Sequence, residues 1–493
     1  MIWRQMLGYI PVNVANIIVS FGTIAILTRL FDGAEFGRYA IAVASLHFIH
    51  MALFTWVEAA MSRFYANAES KGKTDLASHM KTLYGLSILA GVIGLPLLLG
   101  AVYLLPIDTH MKMLLAFSLG STCLTLVFNI AIESHKAAER IGRFSVIFTS
   151  NSLLGFSVGI ILILMTPLRE VAPFIGIIFA NIISIIIDLP FMLKRMKGGK
   201  FETENVRKYL NYGVPISLSL MLTYILSQGD LFFIQHFMGD VSVGQYNAGY
   251  NLANRSLDVL FVWLGMAVTP VAIAAFEHDG IEKTQQVLKN YGATLLLLIL
   301  PAATGIALVA EPAGFILGES VRAEAVKIMP WIAFAGVMNG FISYYAQRAF
   351  MLSKNTGVLA VTMIVPVLIN IVLNLLLIPR YELLGAVWAT MAAYGVGLVL
   401  SFIIARRYFP LPLPLKALVQ CSFACAVMAG VVLALPSHID AWPDVIELLT
   451  KAGIGAIAYA ATAYAINASD CRDTVQDLRD KLKSRAASKT VQT

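Results

Sequence analysis

The sequence predicts an all-α polytopic membrane protein, and three observations carry this prediction. Of its 493 residues, 58% are hydrophobic and only 13% are charged, whereas soluble domains are about 45–50% apolar and about 25% charged. The mean hydropathy is +0.76. The apolar residues fall in runs of about 20, the length that crosses a bilayer as an α-helix. This composition excludes a water-soluble globule, a disordered chain and a disulfide scaffold.

The apolar runs predict about fourteen transmembrane helices, separated by turn formers or charges such as Asp32-Gly33 and Gly239-Asp240. We place the helices near residues 7–30, 39–62, 82–105, 112–133, 144–165, 172–193, 209–238, 246–270, 290–310, 325–347, 356–378, 385–405, 415–435 and 446–467. Two cysteines, Cys421 and Cys425, are four residues apart inside an apolar run. We interpret them as small buried side chains and not as a metal or redox site.

The lysines and arginines predict the orientation of the chain. Most of these 36 cations lie in alternate loops and in the C-terminal tail. The positive-inside rule then places both termini in the cytoplasm. We therefore interpret the net charge of +7 as a topology signal and not as a nucleic-acid-binding surface. The tail mixes acids and bases, which predicts a short solvated helix at the membrane surface.

Two short segments indicate an internal repeat. The sequence FGRY at 36–39, between predicted helices one and two, matches VGQY at 243–246, between helices seven and eight. Each copy continues through an even number of helices, so the two copies have the same topology and a parallel pseudo-twofold relation. We expect an N-terminal lobe at 1–200, a C-terminal lobe at 201–410, an extra helix pair at 411–468 and a cytoplasmic tail at 469–493.

The same connections carry a family resemblance. The first reads LFDGAEFGRYA at 30–40 and resembles the helix 1–2 connection of the polysaccharide-biosynthesis (O-antigen and exopolysaccharide) flippases. These belong to the multidrug/oligosaccharidyl-lipid/polysaccharide exporter superfamily. The start of that family's second half is similar to DLFFI at 230–234 with VGQYNAGY at 243–250, and its helix 11–12 connection is similar to YELLGAVWAT at 381–390. The resemblance covers about residues 1–410.

The resemblance implies a flippase that moves a lipid-diphosphate-linked oligosaccharide to the outer leaflet of a bacterial inner membrane. Such a flippase is expected to work by alternating access, coupled to an ion gradient, and to serve surface or exopolysaccharide synthesis. The implied substrate is a polyprenyl-diphosphate-linked oligosaccharide held among membrane lipids, and a polysaccharide polymerase and export machinery are the expected partners. The chain departs from the family at Glu58, where an acid is unusual. The resemblance therefore does not identify the sugar of the substrate.

Polar side chains inside the predicted helices mark a candidate site, because a charge at mid-bilayer costs about 2.5–3.5 kcal/mol. Predicted helix eight carries the densest set, on one helical face: Asn247, Asn251, Asn254, Arg255 and Asp258. The others are Asp230 in helix seven, His47, His50 and Glu58 in helix two, and Arg29 at the end of helix one. Together they predict a water-filled central cavity. The alternative for Arg255 and Asp258 is an internal ion pair that only stabilises their helix.

The residue types suggest two roles. Guanidinium groups bind phosphate oxygens in a bidentate fork, so we assign substrate binding to Arg255, Arg29, His47, His50, Asn247 and Asn251. The acids Asp230, Asp258 and Glu58 are the candidates for binding a coupling ion. Six other asparagines are interpreted as interhelical hydrogen bonders: Asn129, Asn151, Asn181, Asn339, Asn370 and Asn374.

Two other function classes remain open at this point. A proton- or sodium-coupled drug or cation antiporter has the same fold, but its cavity should be dominated by acids. A membrane glycan polymerase or ligase should carry a large extracytoplasmic loop, and the longest outer connection here, roughly 311–324, is short. Neither a phosphate-binding G-x-x-x-x-G-K-[ST] motif nor a metal-ligand cluster occurs, so we expect a transporter without a cofactor or metal.

Overall fold

The computed structural model describes residues 2–353, 357–473 and 476, and within them it is all-α without a strand. Thirteen of its helices are long and apolar enough to cross a membrane. The α-helices in chain order are α1 Ile2–Leu30, α2 Gly33–Leu53, α3 Thr55–Lys71, α4 Lys73–Leu104, α5 Thr109–Ala137, α6 Ile141–Met165, α7 Ala172–Met196, α8 Thr203–Gln228, α9 Asp230–Met238, α10 Asp240–Ala274, α11 Ile281–Leu308, α12 Ala310–Ala313, α13 Glu319–Phe341, α14 Arg348–Leu352, α15 Gly357–Ala405, α16 Leu415–Leu433 and α17 Asp444–Ala465. Most of the predicted tail helix lies outside the described residues.

Helix α15 contains a reversal of the chain. Glu382 has a φ of 53° and a ψ of −135°, which no α-helix accommodates. A Cβ on Gly385 would lie only 2.4 Å from the carbonyl oxygen of Leu377, although residues eight apart on a straight helix are about 12 Å apart. The element therefore consists of two helical stretches, which correspond to the helices predicted near 356–378 and 385–405.

The helix predicted near 39–62 is broken in the middle and forms α2 and α3. The Thr55 hydroxyl donates to the carbonyl oxygen of His50 at 3.4 Å, and the Trp56 indole N–H donates to that of Leu53 at 2.9 Å. Side chains that enter the backbone hydrogen-bond ladder are a recognised cause of helix kinks. The break thus lies inside a predicted membrane span, and side chains satisfy carbonyl groups around it.

The chain divides into two compact units. Unit 1 contains Met1–Ala248, Leu317–Val321 and Gly357–Ala389, and unit 2 contains Gly249–Ile316, Arg322–Thr356 and Thr390–Thr493. Each unit has its own apolar core, around Met61, Leu83 and Leu126 in unit 1 and around Phe261, Leu295 and Cys421 in unit 2. Cys421 and Cys425 are buried free thiols in that second core, as predicted. The lobes predicted from the repeat stay a prediction, because the units follow packing and not the repeat.

The two repeat segments contact each other within unit 1. A Cβ on Gly37 would lie 1.8 Å from the carbonyl oxygen of Asp240, and a Cβ on Gly244 would lie 2.4 Å from that of Gly33. Gly33 and Asp240 are separated by the same number of residues as Gly37 and Gly244. The contact is therefore reciprocal, the relation that a local twofold axis produces. Only residues without a Cβ allow the starts of α2 and α10 to approach this closely.

Ion pairs hold the same end of unit 1. The Arg38 Nε donates to Glu170 Oε1 at 2.8 Å, and its Nη1 lies 3.7 Å from Asp240 Oδ2. The Arg169 Nε donates to Glu35 Oε1 at 2.7 Å. These pairs connect the starts of α2 and α10 to the turn before α7, so the glycine crossing lies within a charged network.

Candidate functional site

The break between α2 and α3 positions the first polar group of unit 1. His50 Nε2, near the end of α2, lies 2.8 Å from Glu58 Oε1, in the first turn of α3. Asn129 of α5 donates its Nδ2 to the same oxygen at 3.0 Å. The side chains of His50 and Glu58 are 12% and 16% exposed. The Glu58 carboxylate therefore has two polar partners, and we call this group the Glu58 cluster (His50, Glu58 and Asn129).

The second polar group of unit 1 is built around Asp230, which begins α9 and is fully buried. The Tyr246 hydroxyl donates to Asp230 Oδ2 at 2.8 Å, and the Asn374 Nδ2 donates to Oδ1 at 2.7 Å. The Asn374 amide also donates to Asn370 Oδ1 at 3.0 Å, while its own Oδ1 is buried without a hydrogen-bond partner. We call these four residues the Asp230 cluster.

The Asp230 cluster has the chemistry of a cation or proton site. A carboxylate and two amide oxygens lie together in a buried setting, and hard cations prefer oxygen ligands. A buried carboxylate can also take up a proton, which removes the cost of the buried charge. Among the described residues there is no group of three or more His, Cys, Asp or Glu side chains that could hold a metal ion.

Helix α10 carries the polar stripe predicted for helix eight. The Asn254 Nδ2 donates to Asp258 Oδ2 at 2.9 Å, and no ion pair joins Asp258 to Arg255. Arg255 is exposed, whereas Asn251 and Asp258 are half-buried. Arg255 and Asp258 thus form no close ion pair, but the charge of Arg255 acts on Asp258, and the internal pair stays the alternative. The Arg255 guanidinium has its donors available for an anion.

An ionisable side chain stands beside an apolar cavity in unit 1. The exposed His47 ring of α2 stacks on Tyr224 of α8, with the ring centroids 5.9 Å apart. Tyr224 also lines a cavity of about 530 Å³. The other lining residues are nearly all aliphatic or aromatic: Ser45, Phe48, Ile49, Leu98, Ala101, Val102, Leu105, Leu115, Leu119, Ile225, Gly229, Phe232, Phe233 and Ile371. A space of this size and lining suits a hydrocarbon chain.

The structure brings together some of the predicted site residues but not all of them. His50 contacts Glu58, whereas Arg29, at the end of α1, is exposed and Asn247 is buried on α10. A single cavity formed by all of the predicted residues stays a prediction.

Tyr224 and Tyr246 were missed as site residues, since an aromatic residue in an apolar helix gives no separate signal. Asn129, Asn370 and Asn374 were predicted as hydrogen bonders between helices. Asn129 and Asn374 do donate across helices, but both donate to acids of the candidate site. The signal available for Asn370 and Asn374 was their spacing of four residues within one apolar run.

The sequence matches known proteins over much of its length. Residues 2–276 match the family described as polysaccharide biosynthesis protein. The probable low-salt glycan biosynthesis flippase Agl15 of Haloferax volcanii is 20% identical over 287 residues, which cover 58% of this chain and 60% of that protein. The lipid II flippase MurJ of Bacillus subtilis is 28% identical over 148 residues, 29% of this chain and 27% of that protein. The matched stretches thus span less than two thirds of either relative.

Solved structures show the same fold. A lipid II flippase MurJ in an inward closed conformation is similar with a TM-score of 0.75 at 16% identity, covering 95% of this chain and 100% of that chain. An inward-facing multidrug resistance MATE family transporter of the MOP superfamily is similar with a TM-score of 0.60 at 15% identity, covering 82% and 95%. The family match covers more than half of the residues. The chain therefore belongs to the polysaccharide biosynthesis protein family, with a multi-pass membrane fold shared by MurJ and MATE structures.

Proposed function

We propose that the protein is a flippase that moves a lipid-diphosphate-linked oligosaccharide from the cytoplasmic to the outer leaflet of a bacterial inner membrane. The observation that carries this proposal is the apolar cavity of about 530 Å³ in unit 1, with the His47–Tyr224 stack at its edge. A lipid with a charged headgroup needs both an apolar and an ionisable surface. The names of the two relatives, a glycan biosynthesis flippase and a lipid II flippase, support the same class.

Arg255 is the proposed contact for the diphosphate. Its guanidinium is exposed on α10, and Asp258 accepts a hydrogen bond from Asn254 and not from Arg255. A diphosphate offers paired oxygens to the planar guanidinium fork, which ammonium groups do not match. The remaining proposed headgroup contacts are Arg29, His47, His50, Asn247 and Asn251.

Asp230 is the proposed site of the coupling ion. Its carboxylate is fully buried and accepts from Tyr246 and Asn374, both neutral donors. Binding of a proton or a small cation from the outer side would offset the buried charge, and its release inside would restore the empty site. Glu58 and Asp258 are the alternative coupling residues. A polysaccharide polymerase would use the lipid-linked product at the outer leaflet.

The headgroup proposal is tested by flipping of a fluorescent polyprenyl-diphosphate oligosaccharide in proteoliposomes, with an impermeant quencher that reports the outer leaflet. We expect Arg255→Ala to lower the rate at least about tenfold, which corresponds to about 1.4 kcal/mol in the free energy of activation. Arg255→Lys should recover only part of the lost flipping rate, because an ammonium group cannot form the bidentate contact of a guanidinium. Arg407→Ala, at an exposed arginine that is not among the predicted binding residues, serves as the control and should leave the rate unchanged.

An unchanged flipping rate in a folded Arg255→Ala protein would contradict the headgroup assignment. One observation favours a second function: the similarity to a multidrug MATE transporter goes together with a buried acid in the Asp230 cluster. A drug antiporter would accumulate a cationic dye in the same vesicles and would not flip the glycolipid. The two substrates, presented to one preparation, therefore separate the two functions.

A further inference from the structure

Three arginines converge on one aromatic ring in unit 1, and none of them is among the predicted substrate-binding residues. The guanidinium carbons of Arg140, Arg143 and Arg195 lie 4.7, 4.2 and 5.5 Å from the ring centroid of Phe191. Since all three share one ring, no two of these carbons lie more than about 10 Å apart. Arg140 directly precedes α6, Arg143 lies in its first turn, and Arg195 lies in the last turn of α7.

The acids of this region compensate only part of its charge. Asp188 is buried, and it accepts from Arg143 Nε at 2.8 Å and Nη2 at 2.6 Å, while His135 Nε2 lies 2.8 Å from its other oxygen. In the part of the chain that the structure describes, no carboxylate lies within ion-pair distance of Arg140 or Arg195. Two like charges are therefore held close together without an anion, which favours binding of one.

The geometry around Arg195 indicates which kind of partner is missing. Its Nη1 is buried without a hydrogen-bond acceptor, and its guanidinium also lies over the ring of Tyr65 at 5.2 Å. A buried unsatisfied donor costs free energy until an acceptor oxygen arrives. Arg140, whose guanidinium lies over the same Phe191 ring, is exposed, so an anion can reach the group.

We propose that the Phe191 cluster (Arg140, Arg143, Phe191, Asp188 and Arg195) binds the phosphate of an anionic phospholipid of the surrounding leaflet. The cluster lies at the ends of α5, α6 and α7, the level at which membrane-spanning helices meet lipid headgroups. Basic pockets between such helices on the cytoplasmic side bind phospholipid headgroups. A phosphate group offers the oxygen acceptors that both uncompensated guanidinium groups need. The site is a structural lipid site, independent of the transported substrate.

The test uses the purified full-length protein and phosphatidylglycerol, with phosphatidylcholine as the neutral lipid. Native mass spectrometry should show retained phosphatidylglycerol on the wild type, and the thermal midpoint should rise with that lipid only. The double variant R140Q/R195Q should bind it at least about tenfold more weakly, while Arg143 stays in place to hold Asp188. The matched control is R406Q/R407Q, which removes the same charge from two exposed arginines and should bind like the wild type.

Three outcomes decide the proposal. Unchanged phosphatidylglycerol binding by R140Q/R195Q would overturn it, and so would an equal loss in R406Q/R407Q, which would indicate unspecific attraction. Displacement of phosphatidylglycerol by an equimolar polyprenyl diphosphate at this cluster would assign the site to the transported lipid instead. If the R140Q/R195Q protein fails to fold, R140K/R195K replaces it in the test. This variant keeps both positive charges but lacks the bidentate guanidinium groups. It should then show weaker but measurable binding, and binding equal to the wild type would contradict a guanidinium–phosphate contact.

Discussion

Glu58 and Asp230 are two acids in helices of unit 1, and their surroundings differ. Glu58 is 16% exposed and lies 2.8 Å from the imidazole of His50, a partner that can become a cation. Asp230 is fully buried, and the donors on its two oxygens are the hydroxyl of Tyr246 and the amide of Asn374. Glu58 therefore lies beside an ionisable side chain, whereas Asp230 accepts from two neutral donors in a setting where a charge is costly.

From this difference in surroundings we expect the two acids to differ as coupling sites. A carboxylate among neutral oxygens changes its affinity for an external ion, because that ion removes the unfavourable buried charge. Of the two, the Asp230 cluster is the one that we expect to link transport to an ion gradient.

The largest expected effect is that of Asp230→Asn. The amide preserves the size of the side chain but removes its charge, so the dependence of flipping on a proton or sodium gradient should disappear. Coupling free energies of about 1–3 kcal/mol are typical, so we expect a loss of about 5- to 150-fold in the gradient-driven rate. The measurement is the flipping rate in proteoliposomes with and without each gradient.

The control for this variant is Asp108→Asn. Asp108 accepts from the backbone N–H of Met111 at the start of α5, and asparagine serves this role equally well. It should leave both the rate and the gradient dependence unchanged. Full gradient dependence in Asp230→Asn would show that Asp230 is not the coupling residue. Asp230 and Glu58 would then not differ in this respect.

A smaller effect is expected for Asn374→Ala. The change removes the donor to Asp230 Oδ1, and an unsatisfied buried group costs about 1–3 kcal/mol. The thermal midpoint should fall, and half-maximal coupling should need a lower proton concentration, because a buried carboxylate that has lost a donor holds a proton more tightly. The matched control is Asn151→Ala, which breaks bonds to Asn181 and Ser184 elsewhere in unit 1. If both variants alter ion dependence equally, Asn374 acts on stability alone.

The smallest effect is expected for Glu58→Gln. Glutamine keeps an oxygen acceptor for Asn129 and a hydrogen bond to His50, so only the charge is lost. Hydrogen bonds of this kind contribute about 0.5–1.5 kcal/mol, and we expect the gradient dependence to persist with a rate within about threefold of the wild type. Complete uncoupling by Glu58→Gln with normal coupling in Asp230→Asn would reverse the comparison, and the same rate assay measures it.

The sequence by itself determined the class of the protein and the identity of the costly side chains. Long apolar runs are local features, so the spans were predictable to within several residues, including the two helices that form α15. The acids Asp230 and Glu58 were recognisable one at a time, because each interrupts an apolar run. The glycines of the two repeat segments were recognisable as a pattern, although their contact with each other was not.

Only the tertiary structure decided which partners each acid has. Asn374 lies 144 residues from Asp230, and no periodicity in the chain connects them. The contact of His50 with Glu58 depends on the break between α2 and α3, which arises because Thr55 and Trp56 hydrogen-bond to backbone carbonyls. The charge of a side chain is a local property, but the cost of that charge depends on burial and on neighbours from distant segments. That is why the sequence could name both acids and only the packing of the helices distinguished them.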